Sequence, residues 1–375
     1  MRYPAIDITR GILVIIMALD HTRDYWTSTQ FDPLDLSQSS IALFLTRWIT
    51  HICAPGFIFL TGLSAYFHGK KLNSKSELAK FLILRGVVLV ILELTLVNLS
   101  WQFAYNYAFV QVIWALGVSM IILAGLIYLP MIWTTIVCLA VISLHGYLND
   151  DFMRQLLGGY EWLWILAHVR TSFRLFEFNT GIFAAYNIIP LFALMYLGYV
   201  FGPLYELANK QRVRLLITTA TVLSIIFIAV RLIGFGDPNE WNPQQGLLGF
   251  INTAKYPMSF SYILMTMSIV FLIMAIVENR KNRMLDILLL FGQASLFFYL
   301  LHVPVINLSA HLWSYLEFGV ATNFFNGPKV WPEGYTPNLL RTYAYWITLI
   351  AILYYPCKKY LQKKKESGSV IYSYV

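Results

Sequence analysis

The sequence predicts an all-α protein of the membrane, a bundle of about ten transmembrane helices with both termini on the cytoplasmic side. Three observations carry this. The 375 residues are 58% hydrophobic and 12% charged, against about 45–50% and about 25% in a soluble domain. The apolar excess recurs in stretches near the ~20 residues that cross a bilayer. The basic residues gather in alternate connections between these stretches, as they do in cytoplasmic loops.

The stretches run Ile8–Tyr25, Ile41–Phe67, Ala79–Trp101, Val110–Leu129, Met131–Leu148, Ala184–Leu204, Val213–Ile233, Pro257–Val277, Ile287–Trp313 and Leu340–Tyr355. The first has an apolar middle, Ile12 to Leu19, between Asp7 and Arg10 on one side and Asp20, His21, Arg23 and Asp24 on the other. It lacks the basic leader and small-residue cleavage site of a signal peptide. In the second, "RWITHICAPGF" places Arg47 and His51 four residues apart on one helical face, and Pro55 is expected to break the helix. The third holds Arg85 and Glu93, about 80° apart around a helix, so each needs another partner. The ninth, with "FFYLLHVPVINLSAH", puts His302 two residues before Pro304, which weakens the helix there.

The basic runs "HGKKLNSKSELAK", "NKQRVR", "NRKNR" and "KKYLQKKKE" all fall on one side of this topology. That side collects 18 of the 27 Lys and Arg but 7 of the 19 Asp and Glu. Topology therefore accounts for the net charge of +8 without a nucleic-acid partner. Residues 1–356 read as one transmembrane domain and 357–375 as a basic cytoplasmic tail. The longer, aromatic-rich connections, 27–40, 149–183, 234–256 and 314–338, fall on the outer side, where loops on a rigid scaffold carry function. Cys53, Cys138 and Cys357 sit in or at the ends of apolar stretches, with neither disulfide nor zinc spacing. Walker A, GxGxxG, GxSxG and HExxH patterns are absent from the sequence. No metal is expected, since His21, His51 and His302 share no ligand spacing.

A charge at the centre of a membrane helix costs at least about 2.5–3.5 kcal/mol. Such groups mark either a functional path or structural ion pairs. In the first helix, Arg10, Val14, Met17, His21 and Asp24 share one face, and Asp7 joins it. Arg10 and His21 nearly eclipse, about 16 Å apart along the axis. His21 can meet Asp24, and Asp20 can meet Arg23. A carboxylate beside an imidazole fixes its tautomer, which suits a general base; the alternative is that these charges only lock helices together. Glu93, the deepest carboxylate, reads as a buried ion pair or a neutral acid. His145, His168 and His311 read as isolated residues of the outer surface, and His68 of the inner.

The segments "AIDITRGILVIIMALDHTRDYW", "FLTRWITHICAPGFIFLTGLSAYF", "LRGVVLVILELTLV", "INTAKYPMSFSYILMT" and "FGQASLFFYLLHVPVIN" together resemble the bacterial branch of the heparan-α-glucosaminide N-acetyltransferase catalytic-domain family. The resemblance runs from the N-terminus to about His311. It implies a multispanning acyltransferase of a bacterial inner membrane, with acetyl-CoA as donor. The lysosomal member moves acetyl from cytosolic acetyl-CoA to a glucosamine amine across the membrane. Asp7, Arg10 and Gly11 match the family's D-x-x-R-G start. Asp20 stands where the lysosomal enzyme has an amide, and His21 belongs to the bacterial D-H-x-R-D pattern. The lysosomal active-site histidine lies further along, and the stretch "STQFDPLDLSQSS" has none. Either His21 replaces it, or this branch uses other chemistry, or none.

The stripe and the resemblance combine into one expectation. His21, Asp24 and Asp20 form the catalytic group. Arg10 and Arg85, with Asp7 beside, hold the acyl-CoA at the cytoplasmic end. Arg47, His51, Lys255 and His302 meet the acceptor, an amine or hydroxyl of a glycan-like or small molecule outside. Membrane lipid is the other partner, and an oligomer stays open. A transporter or permease is the alternative: Pro55 and Pro304 fit broken helices lining a substrate or proton path. Against it, the chain has no internal repeat and its elaborated loops share one side. A non-catalytic scaffold leaves the polar stripe unexplained.

Overall fold

The computed structural model describes residues 3–105, 107–174 and 181–367, and helix dominates it. In chain order the helices are α1 Pro4–Trp26, α2 Ile41–Ile49, α3 Cys53–Gly69, α4 Lys75–Leu92, α5 Asn98–Gln102, α6 Val112–Leu126, α7 Met131–Leu144, α8 Asp150–Leu157, α9 Glu161–His168, α10 Ile189–Val200, α11 Gly202–Tyr205, α12 Asn209–Leu232, α13 Gly246–Ile251, α14 Phe260–Val277, α15 Arg283–Gln293, α16 Ser295–Phe318 and α17 Leu339–Ser367. Helix occupies most of each of the ten apolar stretches. The connections expected on the outer side carry more structure than expected: α8 and α9, and a sheet of short strands. These are β1 Tyr107–Val110, β2 Ser172–Phe173 and β3 Gly181–Ala184, in the order β1-β3-β2.

Five helical stretches are long and apolar enough to cross a membrane: Ile41–Gly69, Lys75–Gln102, Asn209–Leu232, Phe260–Val277 and Ser295–Phe318. Met131–Tyr147 and Asp150–His168, bent by 104°, make a sixth if they are one span. The other four expected spans miss that standard for separate reasons. Helix α1 is too charged, α6 and α10 are 15 and 12 residues long, and the apolar part of α17 is diluted by tyrosines. Only 22% of the apolar window of α12 is buried, with Ile217, Ile225 and Ile228 exposed. An apolar helix with an uncovered apolar surface is stable in lipid and not in water, so the chain is an integral membrane protein.

Two expected spans are interrupted elsewhere than proline predicts. The second turns tight at Thr50–Ile52, before Pro55. Pro55 then sits in the first turn of α3, where its missing N–H would be unpaired anyway. The ninth splits at Ala294 into α15 and α16, and α16 continues through Pro304.

The chain divides into two units, each discontinuous in sequence. The first comprises Met1–Cys53, Leu96–Ala104 and Val277–Val375. Here α1 packs against α15, α16 and α17. The α1–α15 crossing is backbone to backbone. A Cβ on Gly11 would stand 1.9 Å from the Leu288 carbonyl oxygen, and one on Gly292 would stand 1.7 Å from that of Asp7. Small residues allow membrane helices this approach. The far end of α1 is held by Arg341, which donates to the Trp26 carbonyl (2.9 Å) and lies 4.0 Å over the Trp313 ring.

The second unit comprises Ala54–Thr95 and Tyr105–Ile276. Its helices cross in the same way, α4 with α6 at Gly86 and Gly117 and α3 with α10 at Gly62 and Gly198.

Candidate functional site

The polar end of α1 meets the middle of α16 in the first unit. His21 Nδ1 lies 2.7 Å from His302 Nε2, and the rings overlap nearly parallel, 4.9 Å between centroids. The partners of His302 assign the protons. Its Nδ1 faces the carbonyl oxygens of Phe298 (3.1 Å) and Tyr299 (2.8 Å), which can only accept. Nδ1 therefore carries the hydrogen, and in the neutral pair Nε2 is an acceptor. His21 then donates from Nδ1, and its Nε2 keeps a lone pair. That is the tautomer a base or nucleophile needs.

His302 is completely buried, under Phe298 at 5.1 Å, whereas His21 is half-buried. The Trp101 and His21 rings meet in a T-shaped pair, 4.8 Å between centroids. Trp101 owes its position to the end of the short helix α5, whose carbonyls lack helical partners. Tyr25 donates to the Trp101 carbonyl at 2.6 Å. Asn307 reaches the Ser100 and Trp101 carbonyls at 2.9 and 3.0 Å, and Asn323 those of Trp101 and Gln102 at 3.0 and 3.1 Å. Sequence reading missed Trp101, Tyr25, Asn307 and Asn323. An isolated Asn in an apolar stretch is the signal that could have flagged Asn307.

Around the base of this group runs a chain of alternating charge. Arg23 bridges Asp20 (3.1 Å) and Asp24 (2.7 Å), and Arg47 from α2 also pairs with Asp20. The anticipated Asp20–Arg23 contact is present. Asp20 accepts from two guanidinium groups, while Asp24, 31% exposed in its side chain, faces Arg23. His51 occupies the Thr50–Ile52 turn and is buried, so Arg47 and His51 do not share one continuous helical face.

At the other end of α1, Arg10 pairs with Asp7 at 2.8 Å. Arg85 and Lys255 belong to the second unit. Arg85 lies 5.9 Å from the Phe81 ring that His68 also covers. Lys255 is buried beside Tyr256. Glu93 secures a helix start: it opens a turn of π-helix, and its Oε2 accepts from the Trp114 amide at 3.0 Å, capping the start of α6. His145 and His168 are neither isolated nor superficial. Both are buried, 3.1 Å apart, and His145 donates to the Met258 carbonyl at 3.0 Å. No group of three or more metal-ligating side chains occurs among the described residues.

The sequence matches the family model described as heparan-alpha-glucosaminide N-acetyltransferase, catalytic, over residues 2–233. No curated protein matches it. The match spans more than half of the chain, including His21 and Trp101, and the chain belongs to that family.

Proposed function

We propose that this family member is a membrane-embedded acyltransferase, with acetyl-CoA as donor and an amine or hydroxyl as acceptor, and that His21 is its base. Membership in the family and the apolar helices support a membrane acetyltransferase-type function. The observation that carries the residue assignment is the 2.7 Å contact between His21 and His302, with its tautomers fixed by the Phe298 and Tyr299 carbonyls. His21 Nε2 takes the proton of the acceptor as that atom attacks the thioester carbonyl, and returns it to the sulfur as the C–S bond breaks. His302 is a positioning residue in this scheme, since it holds Nδ1–H and so keeps the lone pair on Nε2. Asp20, Asp24, Arg23 and Arg47 hold the turn of α1 that carries His21.

Arg10 of the first unit is assigned to the donor end. Asp7 occupies the Arg10 guanidinium, so an acyl-CoA phosphate there must share it with a carboxylate. Both termini and the basic connections face the donor side, and the aromatic outer connections face the acceptor. His51 of the first unit completes the residues assigned to the acceptor.

The test uses purified protein, acetyl-CoA and a panel of amino sugars and neutral sugars, with release of free thiol as readout. Thiol appearing in equal amount to an acetylated acceptor supports the proposal. Sugar uptake into vesicles without thiol release would replace it with the transporter.

A further inference from the structure

We propose that the second unit carries a binding site for an anionic group, a carboxylate or a phosphoryl group, with Lys255 as its first contact and Arg170 as its second positive charge. The loop around Lys255 is held more tightly than a connection needs. Arg231, 3% exposed at the end of α12, donates to the carbonyls of Phe250 (2.9 Å), Gly249 (3.0 Å) and Asn252 (3.1 Å), and to that of Asn239. Asp237 accepts from the Ala254 amide (3.2 Å) and the Ser259 hydroxyl (2.8 Å), and lies 3.8 Å from Arg231. His145 pins the Met258 carbonyl. Backbone on both sides of Lys255 is thus fixed by buried side chains. Such support is what preorganises a binding residue.

The loop presents a cation beside an aromatic ring. Lys255 is 8% exposed, and its ammonium lies 5.2 Å from the Tyr256 ring centroid. Arg170 covers the same ring at 4.4 Å and Phe183 at 5.4 Å. Among the described residues, no carboxylate pairs with Lys255 or Arg170. Asp237 accepts from the neighbouring Ala254 amide and is committed to Ser259 and Arg231. An aromatic face attracts a cation but offers no acceptor for the three ammonium hydrogens. Two cations on one ring also repel each other. An anion with two or three oxygens answers both needs, through charge-assisted hydrogen bonds. Tyr186, edge-on to Tyr256 at 5.4 Å, extends the aromatic surface beside it.

The proposal does not depend on acyl transfer, because binding can be read without acyl-CoA. Purified protein in phosphatidylcholine nanodiscs is titrated calorimetrically with inorganic phosphate, glucuronate and glucose. Both anions should bind and glucose should not. Lys255→Gln should weaken phosphate by about tenfold or more, and Lys255→Arg should retain it. Arg170→Gln, at an exposed position, should weaken it by a smaller factor and leave the melting temperature unchanged. Repetition in phosphatidylglycerol nanodiscs identifies the source. Competition relieved by Lys255→Gln assigns a lipid headgroup, and unchanged phosphate affinity assigns a soluble anion. Absence of anion binding, or equal affinity in wild type, Lys255→Gln and Arg170→Gln, would overturn the site.

Discussion

His302 has no freedom in where it keeps its proton: two carbonyls demand a donor at Nδ1, so Nε2 is left to receive His21. Replacing His302 with Gln is expected to lower kcat while leaving the KM for acetyl-CoA near wild type. The loss belongs within the ~10²–10⁴ that a base supplies, and the acid limb of the pH–rate profile should move with it. A purely structural role would lower stability and leave the profile in place. The charge chain below it makes a stability prediction. Asp20 faces Arg23 and Arg47, whose side chains are only 6% and 15% exposed. Asp20→Asn leaves two buried guanidinium groups short of a carboxylate, a change that costs about 3–5 kcal/mol for a fully buried pair. The low end, about 3 kcal/mol, is expected here because Asp24 still faces Arg23, and thermal denaturation in detergent would show it. Asp24→Asn should cost less, since that side chain is more exposed. The i and i+3 spacing of Asp20 and Arg23 was legible in the sequence. The partner of His21 was not, because it comes from 281 positions away and no local spacing encodes it.

Glycines at helix crossings and glycines away from them should respond oppositely to substitution. Gly11→Ala must push α1 away from α15, because the new methyl group would meet the Leu288 carbonyl. Overpacking of that kind costs about 1–3 kcal/mol or more, so the melting temperature should fall. Gly125→Ala, near the end of α6, meets nothing within 4 Å. There the removal of glycine from a helix should be neutral or stabilising by up to about 1 kcal/mol. Equal effects at the two positions would contradict the close crossing. The glycine of the D-x-x-R-G start could be seen in the sequence as a match, but its reason is the carbonyl of Leu288, on a helix far along the chain. Breaks were harder to read than helices. Proline marked Pro55 and Pro304, yet the chain departs from α-geometry at Thr50–Ile52 and Ala294, where no proline stands. The sheet joining β1, β2 and β3 escaped because strands of two to four residues leave no periodicity to detect.

Across the whole molecule, composition and apolar spacing were enough for the fold class, because lipid leaves a chain little besides helices for crossing. Sidedness rests on the asymmetry of Lys and Arg. Single cysteines at positions 74 and 239, replacing Ser74 and Asn239, should react with an impermeant thiol reagent from opposite faces of the membrane; labelling of both from the same face would overturn the topology. The family match reaches residue 233 and His302 lies beyond it, so the dyad joins a matched helix to one outside the match. In the proposed reaction His21 Nε2 does the proton transfer. Its most direct measurement is acetyl transfer by His21→Gln in nanodiscs, beside acetyl-CoA binding and melting temperature on the same sample. The expected result is a folded protein that binds acetyl-CoA as wild type does and transfers acetyl at least about a hundredfold more slowly. A folded His21→Gln protein that transfers acetyl at the wild-type rate would contradict it.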